Sequence, residues 1–211
     1  MVSGGHTMIV LAKDHGKYKV IGQTRDDAAG EAFDKVARFL GLGYPGGPLI
    51  DKLAKKGDPN AIQFTRPMLE DGYDFSFSGI KTAVINHVRK AGGTENLFSG
   101  GTRVADFAAS FQQAIVDVLV TKTIRATKKH KVKTICLAGG VAANSQLRKE
   151  LKDACDKEKI RLYIPSFEHC TDNAAMIGAA AYYHYRQKRL SDQQLGPIAS
   201  LKLAPSVVER V

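Results

Sequence analysis

The stretch Leu137-Ala138-Gly139-Gly140-Val141-Ala142-Ala143-Asn144-Ser145-Gln146-Leu147-Arg148 constrains the fold more than any other. An apolar run, Thr134 to Leu137, stops at paired glycines, and a helical pattern runs from Ala142 to Lys157. That is a strand, a tight turn and a helix start. Glycine has no Cβ, so backbone in such a turn can approach a flat or phosphorylated ligand, and helix-start amides favour anions. Asn144, one turn into the helix, adds a side-chain amide to the same place. An ordinary strand-to-helix connection uses the same residues, so the rest of the chain has to decide between the two.

Upstream, Val2 to Thr24 reads as β structure. Met8 to Leu11 is apolar, Asp14-His15-Gly16-Lys17 is a turn signal, and Tyr18 to Gly22 alternates. Ser3-Gly4-Gly5-His6-Thr7 heads this hairpin, and successive amides in a Gly-rich turn make an anion-binding nest. Asp26 to Leu40 reads as a helix with acidic residues in its first turn and an apolar stripe of Phe33, Val36, Ala37 and Leu40. Asp34 falls opposite Val36, as a solvent-facing carboxylate would. Tyr44-Pro45-Gly46-Gly47-Pro48 is a rigid turn before a short helix from Leu49 to about Lys56, with Asp51 just inside it. Asp58 to Asp71 lacks periodicity and reads as a surface loop.

After Phe75-Ser76-Phe77-Ser78, a helix runs from Gly79 to Val88, and Ala91 to Gly101 reads as a mobile loop and hinge. Val104 to Lys129 is the longest helix, with Phe107, Phe111, Ile115, Val118 and Leu119 on its buried side. A strand at Arg161–Ile164 precedes Ser166 to Asn173, which leads into Ala174–Tyr183, a small-residue helix suited to close packing. Gly196 to Val211 reads as an extended tail. Strands alternating with helices give an α/β class. The expected divisions are a hairpin at 1–24, a helical and loop-rich segment at 25–101, and an α/β unit with the Gly-Gly turn at 102–211. The sequence opens inside a strand–turn motif and so reads as the C-terminal portion of a longer protein.

Of the formal net charge of +10, most arises between Lys122 and Arg161, with 12 Lys/Arg against 4 Asp/Glu, the footprint of a polyanion such as RNA or else a solvated helix face. No apolar run reads as a membrane span and no secretory leader is evident. Three cysteines without a C-x-x-C pair fit a reducing, cytoplasmic setting.

Three features are candidates to converge: the Ser3–Thr7 turn, the Gly139–Asn144 turn and Thr171-Asp172-Asn173. Two Gly turns and a carboxylate suit a nucleotide with Mg²⁺ on its phosphates. There is neither a P-loop nor a G-x-G-x-x-G signature. Asp172 also reads as the N-cap of the helix that follows. His169, three residues before it, has too common a spacing to define a metal pair, and H-E-x-x-H is absent. Ser3 and Ser78 lack a recognisable His-Asp arrangement.

The motifs Val2-Ser3-Gly4-Gly5-His6-Thr7, Phe77-Ser78-Gly79-Ile80-Lys81-Thr82, Gly139-Gly140-Val141-Ala142-Ala143-Asn144 and Thr171-Asp172-Asn173-Ala174-Ala175-Met176-Ile177 occur in this order. Together they closely resemble the tRNA N6-adenosine threonylcarbamoyltransferase family, earlier described as O-sialoglycoprotein endopeptidases, over essentially the whole chain. The resemblance implies an actin-like ATPase fold of two RNase-H-like α/β lobes, here the end of the first and the second. It also implies transfer of a threonylcarbamoyl group from threonylcarbamoyl-adenylate to N6 of the adenine beside the anticodon of tRNA, in the cytoplasm and with partner subunits.

Carried over residue by residue, Val2, Ser3, Gly4 and Gly5 line the phosphate and acyl region. Asp34, Gly47 and Asp51 hold the ribose or base, and Asn144 touches the nucleotide from the Gly139-Gly140 side. Asp172 ligates iron or zinc. The family's N-terminal stretch, with its first phosphate loop and His-x-x-x-His pair, has no counterpart here, so the metal ligand set is expected to be incomplete and transfer by these 211 residues alone weak or absent. The other readings are an ATPase or sugar-kinase-like member of the same superfamily, a non-catalytic scaffold, and, last, a peptidase.

Overall fold

The computed structural model describes residues 1–194, 196–198, 201 and 203; the tail expected from Gly196 onward lies mostly outside the described residues. The hairpin is as expected, with β1 (Met8–Asp14) pairing antiparallel to β2 (Lys17–Gln23) around His15-Gly16. Two further strands, β3 (Thr134–Cys136) and β4 (Arg161–Tyr163), pair in parallel, with Ile135 opposite Leu162. Among the described residues the strands thus form two separate two-stranded sheets.

Helix α1 (Ala29–Phe39) begins at Ala29, so Asp26 and Asp27 are not in its first turn. Both carboxylates are drawn instead to α3 (Ser78–Lys90), which starts at the end of the alternating phenylalanines. Asp26 accepts from the amides of Phe77 (2.8 Å) and Ser78 (3.2 Å), and Asp27 bridges Lys35 of α1 (2.7 Å) and Lys81 of α3 (3.0 Å). Helix α2 (Gly46–Ala54) starts earlier than the sequence pattern indicated, because Gly46, Gly47 and Pro48 form its first turn instead of a separate loop. Proline suits a first turn, where its missing N–H has no partner to lose.

The stretch from Asp58 to Asp71 has no regular structure, as expected, but it is pinned along α5 (Val104–Lys129). Ile62 N–H donates to Ser110 Oγ (3.1 Å), and the Arg66 guanidinium to Asp117 (2.8 Å). From α5, Lys122 Nζ donates to the carbonyls of Asp71 and Asp74, each at 2.6 Å. The expected hinge at 91–101 contains a short helix, α4 (Thr94–Ser99), whose Leu97 is buried.

Helix α5 is long and apolar enough to cross a membrane by length and composition alone, but most of its apolar window is buried. Phe107, Phe111, Ile115 and Val118 are fully enclosed, with Phe111 meeting Phe33 of α1 edge-on at 5.5 Å between ring centroids. One cluster of buried residues draws on Val2, on α1–α3, on α5 and on Leu147, Leu151 and Cys155 of α6 (Ser145–Lys157). Helix α6 connects β3 to β4 in a strand–helix–strand unit. Helix α7 (Ala174–Arg186) departs from expectation, since every residue in it is exposed and its small side chains pack closely on nothing among the described residues. Its ties are to the β1–β2 turn, where Tyr183 stacks on His15 and Gln187 Nε2 donates to the His15 carbonyl (3.1 Å).

Candidate nucleotide-binding site

The Ser3–Thr7 turn is closed by its own backbone: Ser3 N–H donates to the His6 carbonyl (2.7 Å), His6 N–H to Ser3 Oγ (2.9 Å), and Val2 bridges Thr7. Thr7, buried within the bridge, caps α1 by accepting from Ala29 N–H (2.9 Å), while Gly30 N–H donates to the Ser3 carbonyl (3.1 Å). One helix away, Asp34 Oδ1 accepts from Gly46 N–H (2.7 Å) and fastens α1 to the start of α2. Asp51 of α2 in turn accepts from Ser145 N–H (3.2 Å) and Ser145 Oγ (2.8 Å) at the start of α6, with Lys55 at 3.3 Å from its other oxygen. Asn144 N–H donates to the Val141 carbonyl (3.0 Å), and Val141 N–H donates to the Val2 carbonyl (3.1 Å).

These bonds close a ring. It runs from Val2 and Ser3 through α1 and α2 to the start of α6, and back through the Gly-Gly turn to Val2. Two of the three features expected to converge do so, and Asp34, Gly47 and Asp51 lie on elements of the same ring. Asp34 is half-buried and hydrogen-bonded, not solvent-facing as its helical position suggested.

The ring's glycines divide into two kinds. A Cβ on Gly30 would meet the Ser3 carbonyl oxygen at 2.7 Å, one on Gly46 the Phe33 carbonyl oxygen at 2.6 Å, and one on Gly139 the Val2 carbonyl oxygen at 2.3 Å. Those three allow backbones to touch, and Gly139 has a φ of +99 as well. Around Gly4, Gly5, Gly47 and Gly140 an added Cβ would meet nothing within 4 Å. Those four are where backbone is open to a ligand.

Asn144 is the N-cap of α6, not a residue one turn inside it, because a 3₁₀ turn at Gly140–Ala143 intervenes. Its Oδ1 accepts from Leu147 N–H (2.9 Å) and its Nδ2 donates to Gln112 Oε1 (2.6 Å), so both ends of the amide are engaged. Gln112 continues the chain by donating to Gln146 Oε1 (2.8 Å). Sequence reasoning gave no role to Gln112 or Ser145, and named Thr7 only as the end of its turn. Gln112 did carry a signal, a polar side chain amid the apolar face of α5, and buried polar groups of that kind need partners.

The third feature does not join the ring. Asn173 caps α7 by accepting from Met176 N–H (2.9 Å), so Asp172 is not the N-cap. Asp172 is exposed, and His169 is engaged locally with Ser166 Oγ at 2.7 Å. Among the described residues no group of three or more His, Cys, Asp and Glu is placed to hold a metal ion. A single exposed carboxylate does not meet the coordination that iron or zinc requires.

The basic segment also sorts by burial. Lys122 is fully buried, and Arg125 and Arg148 spend their guanidinium groups on carbonyls of Leu69 and of Ala142 and Pro165. Lys128, Lys149 and Lys152 pair with Glu158, Asp153 and Asp156. Lys129, Lys131, Lys133, Lys157, Lys159 and Arg161 remain exposed as the outward-facing positive charge.

The profile of the tRNA N6-adenosine threonylcarbamoyltransferase family matches residues 1–179. A protein of that name from Clostridium botulinum (strain 657 / Type Ba4) is 54% identical over 204 residues, covering 96% of this chain and 59% of its own length. Its counterpart in Thermosipho africanus is 53% identical over 204 residues, covering 96% of this chain and 60% of its own. The chain therefore spans about three fifths of the length of such relatives. Among solved structures, HypF of T. kodakarensis superposes on 78% of this chain and 21% of its own length, with a TM-score of 0.56 at 21% identity, a likeness of fold alone. By the extent of these matches, the chain belongs to the tRNA N6-adenosine threonylcarbamoyltransferase family.

Proposed function

We propose that this chain supplies the nucleotide-holding part of an enzyme that transfers a threonylcarbamoyl group from its adenylate to N6 of the adenine beside the anticodon in tRNA. In this reading the fold is the actin-like arrangement of RNase-H-like lobes, the enzyme works in the cytoplasm, and it works with partner subunits. The observation that carries the reading is the hydrogen-bonded ring on which Val2, Ser3, Asp34, Asp51 and Asn144 all lie, with Gly4, Gly5, Gly47 and Gly140 open along it.

The open backbone of Gly4, Gly5 and Gly140 suits the phosphate and acyl region, where amides stabilise charge developing on oxygen. Asp34, Gly47 and Asp51 suit the ribose or base. Because Asp34 and Asp51 already accept hydrogen bonds from protein, a nucleotide hydroxyl would share those carboxylates with Gly46 and Ser145. Contact from Asn144 requires its Nδ2 to leave Gln112. ATP with Mg²⁺ would occupy the same turns as the adenylate. The amine nucleophile comes from the RNA, so the protein's contribution is positioning. The Ser3 hydroxyl is engaged within its own turn, where its Oγ donates to the His6 carbonyl (3.2 Å).

Calorimetric titration with ATP and Mg²⁺, and separately with AMP, tests the site. Gly140→Val fills space that is empty in the protein, so it should weaken micromolar binding by at least about tenfold while leaving the melting temperature unchanged. Asn144→Ala should weaken binding as well. Binding that Gly140→Val leaves intact, or a folded chain that binds neither nucleotide, would refute the assignment for this chain.

A further inference from the structure

Gln112 interrupts the apolar face of α5 and belongs to a polar seam between α5 and α6. Gln113 and Asp117 lie four residues apart on α5, and Gln146 and Glu150 four apart on α6, so each pair shares one helix face. Gln112 is only 1% exposed, so both ends of its amide need partners inside the protein.

Those partners form a chain with one direction. It starts at a backbone donor: Leu147 N–H donates to Asn144 Oδ1 (2.9 Å), which leaves Asn144 Nδ2 to donate to Gln112 Oε1 (2.6 Å). Gln112 Nε2 donates to Gln146 Oε1 (2.8 Å), and Gln146 Nε2 to Gln113 Oε1. The far end meets only acceptors. Gln146 Nε2 also reaches Glu150 Oε1 (2.9 Å), and Gln113 Nε2 reaches Glu150 Oε2 (3.2 Å) and Asp117 Oδ1 (2.7 Å). The other Asp117 oxygen is held by Arg66 (2.8 Å). A backbone N–H at one end and carboxylates at the other allow the amides of Asn144, Gln112, Gln146 and Gln113 a single orientation. Turning any one over would set donor against donor or acceptor against acceptor. Aligned hydrogen bonds of this kind polarise and strengthen one another.

We propose that Gln112 is a positioning residue for the nucleotide: it latches the Asn144 amide into the cap of α6, and the chain behind it sets how readily that amide turns to a ligand. This inference rests on the nucleotide reading of Asn144. In the empty chain Asn144 is 8% exposed, so almost none of its amide is presented along the open backbone of Gly4, Gly5 and Gly140. Nδ2 is a donor, and on leaving Gln112 it offers its bond to an oxygen or ring nitrogen of the nucleotide. The Gln112 bond is broken as that contact forms. Gln112 therefore stabilises the empty chain relative to the occupied one, and a group that favours the empty state weakens binding by the same factor.

Titration with AMP, and with ATP and Mg²⁺, tests the latch in the parent chain and its variants. Gln112→Met keeps the volume but offers Nδ2 no acceptor. It should lower the melting temperature of the empty chain by about 2–4 °C and yet tighten nucleotide binding by about fivefold. A purely structural residue would lower stability without tightening binding. Gln146→Met touches neither Asn144 nor the open glycines, but it frees Gln112 to turn and should tighten binding by about twofold. Gln146 is half-buried, so its variant decides the outcome if Gln112→Met does not fold. Gln112→Glu keeps an acceptor for Nδ2 and should return affinity to that of the parent. In an Asn144→Ala background Gln112→Met should change affinity by less than about twofold, because its coupled partner is gone. Tightening that persists without Asn144 would overturn the proposal, as would variants of Gln112 and Gln146 that bind no more tightly than the parent. Gly140→Val separates the two ways to fail. Binding that it abolishes but Gln112→Met does not tighten keeps the nucleotide site and removes the latch. Binding that it leaves intact, or a folded parent that binds neither nucleotide, removes both.

Discussion

At the scale of single residues, neighbouring glycines of identical appearance do different work. Gly139 and Gly140 sit side by side in the sequence, but a Cβ on Gly139 would lie 2.3 Å from the Val2 carbonyl oxygen and one on Gly140 in open space. Gly139→Ala should therefore destabilise by about 2 kcal/mol or more, since it combines a left-handed φ with a backbone collision. Gly140→Ala should stay within about 0.5 kcal/mol of the parent. Urea denaturation of the two variants decides this, and equal effects would contradict the division. Lys122 makes a second residue-scale case. Its ammonium is fully buried on the carbonyls of Asp71 and Asp74, and burial lowers its pKa. Lys122→Met keeps most of the stem but orphans those carbonyls, and should cost about 1–3 kcal/mol in the same assay. The turn glycines were legible in the sequence as a pair. Which of them faced solvent was not, because that depends on where Val2 arrives.

At the scale of elements, periodicity located the longer helices and missed how they begin. The buried stripe of α5 was readable, and Phe111→Ala should cost about 3–5 kcal/mol because the ring is fully enclosed against Phe33. The starts of α1 and α3 depended on partners some fifty residues apart: Asp26 and Asp27 look like first-turn acids of α1 yet hold α3. Burial works to raise the pKa of both carboxyls. The hydroxyls and amides of Ser76, Phe77 and Ser78 outweigh this at Asp26, and Lys35 and Lys81 do so at Asp27, leaving both below the ordinary carboxylate value. A carboxylate whose folded pKa is depressed contributes stability above its unfolded pKa, near 4, and loses that contribution as pH falls through the folded value. The melting temperature of the parent should therefore fall more between pH 7 and pH 3 than that of Asp27→Asn. Parallel curves would show that Asp27 does not link α1 to α3 in solution.

At the scale of the whole molecule, the exposed charge and the bare helix make separate predictions. If Lys131, Lys133 and Lys159 meet RNA phosphates, replacing all three with glutamine should weaken tRNA binding and reduce the slope of log affinity against log salt by about one per lost contact. An unchanged slope would leave these lysines as a solvated face. Helix α7, exposed throughout and tied to the hairpin turn through His15, should exchange its amides far faster than α5. Comparable protection in the two helices would show that α7 has a partner in solution. The sequence by itself determined the order of the strands and the longer helices, the long core helix, and the four motifs that mark the family, because these rest on local periodicity and turn chemistry. Only the tertiary structure decided that the Ser3 and Gly139 turns share a hydrogen-bonded ring, that Asn144 is buried as a cap, and that α7 is left bare. Those outcomes turn on which distant backbones meet, and no local spacing in the chain encodes such meetings.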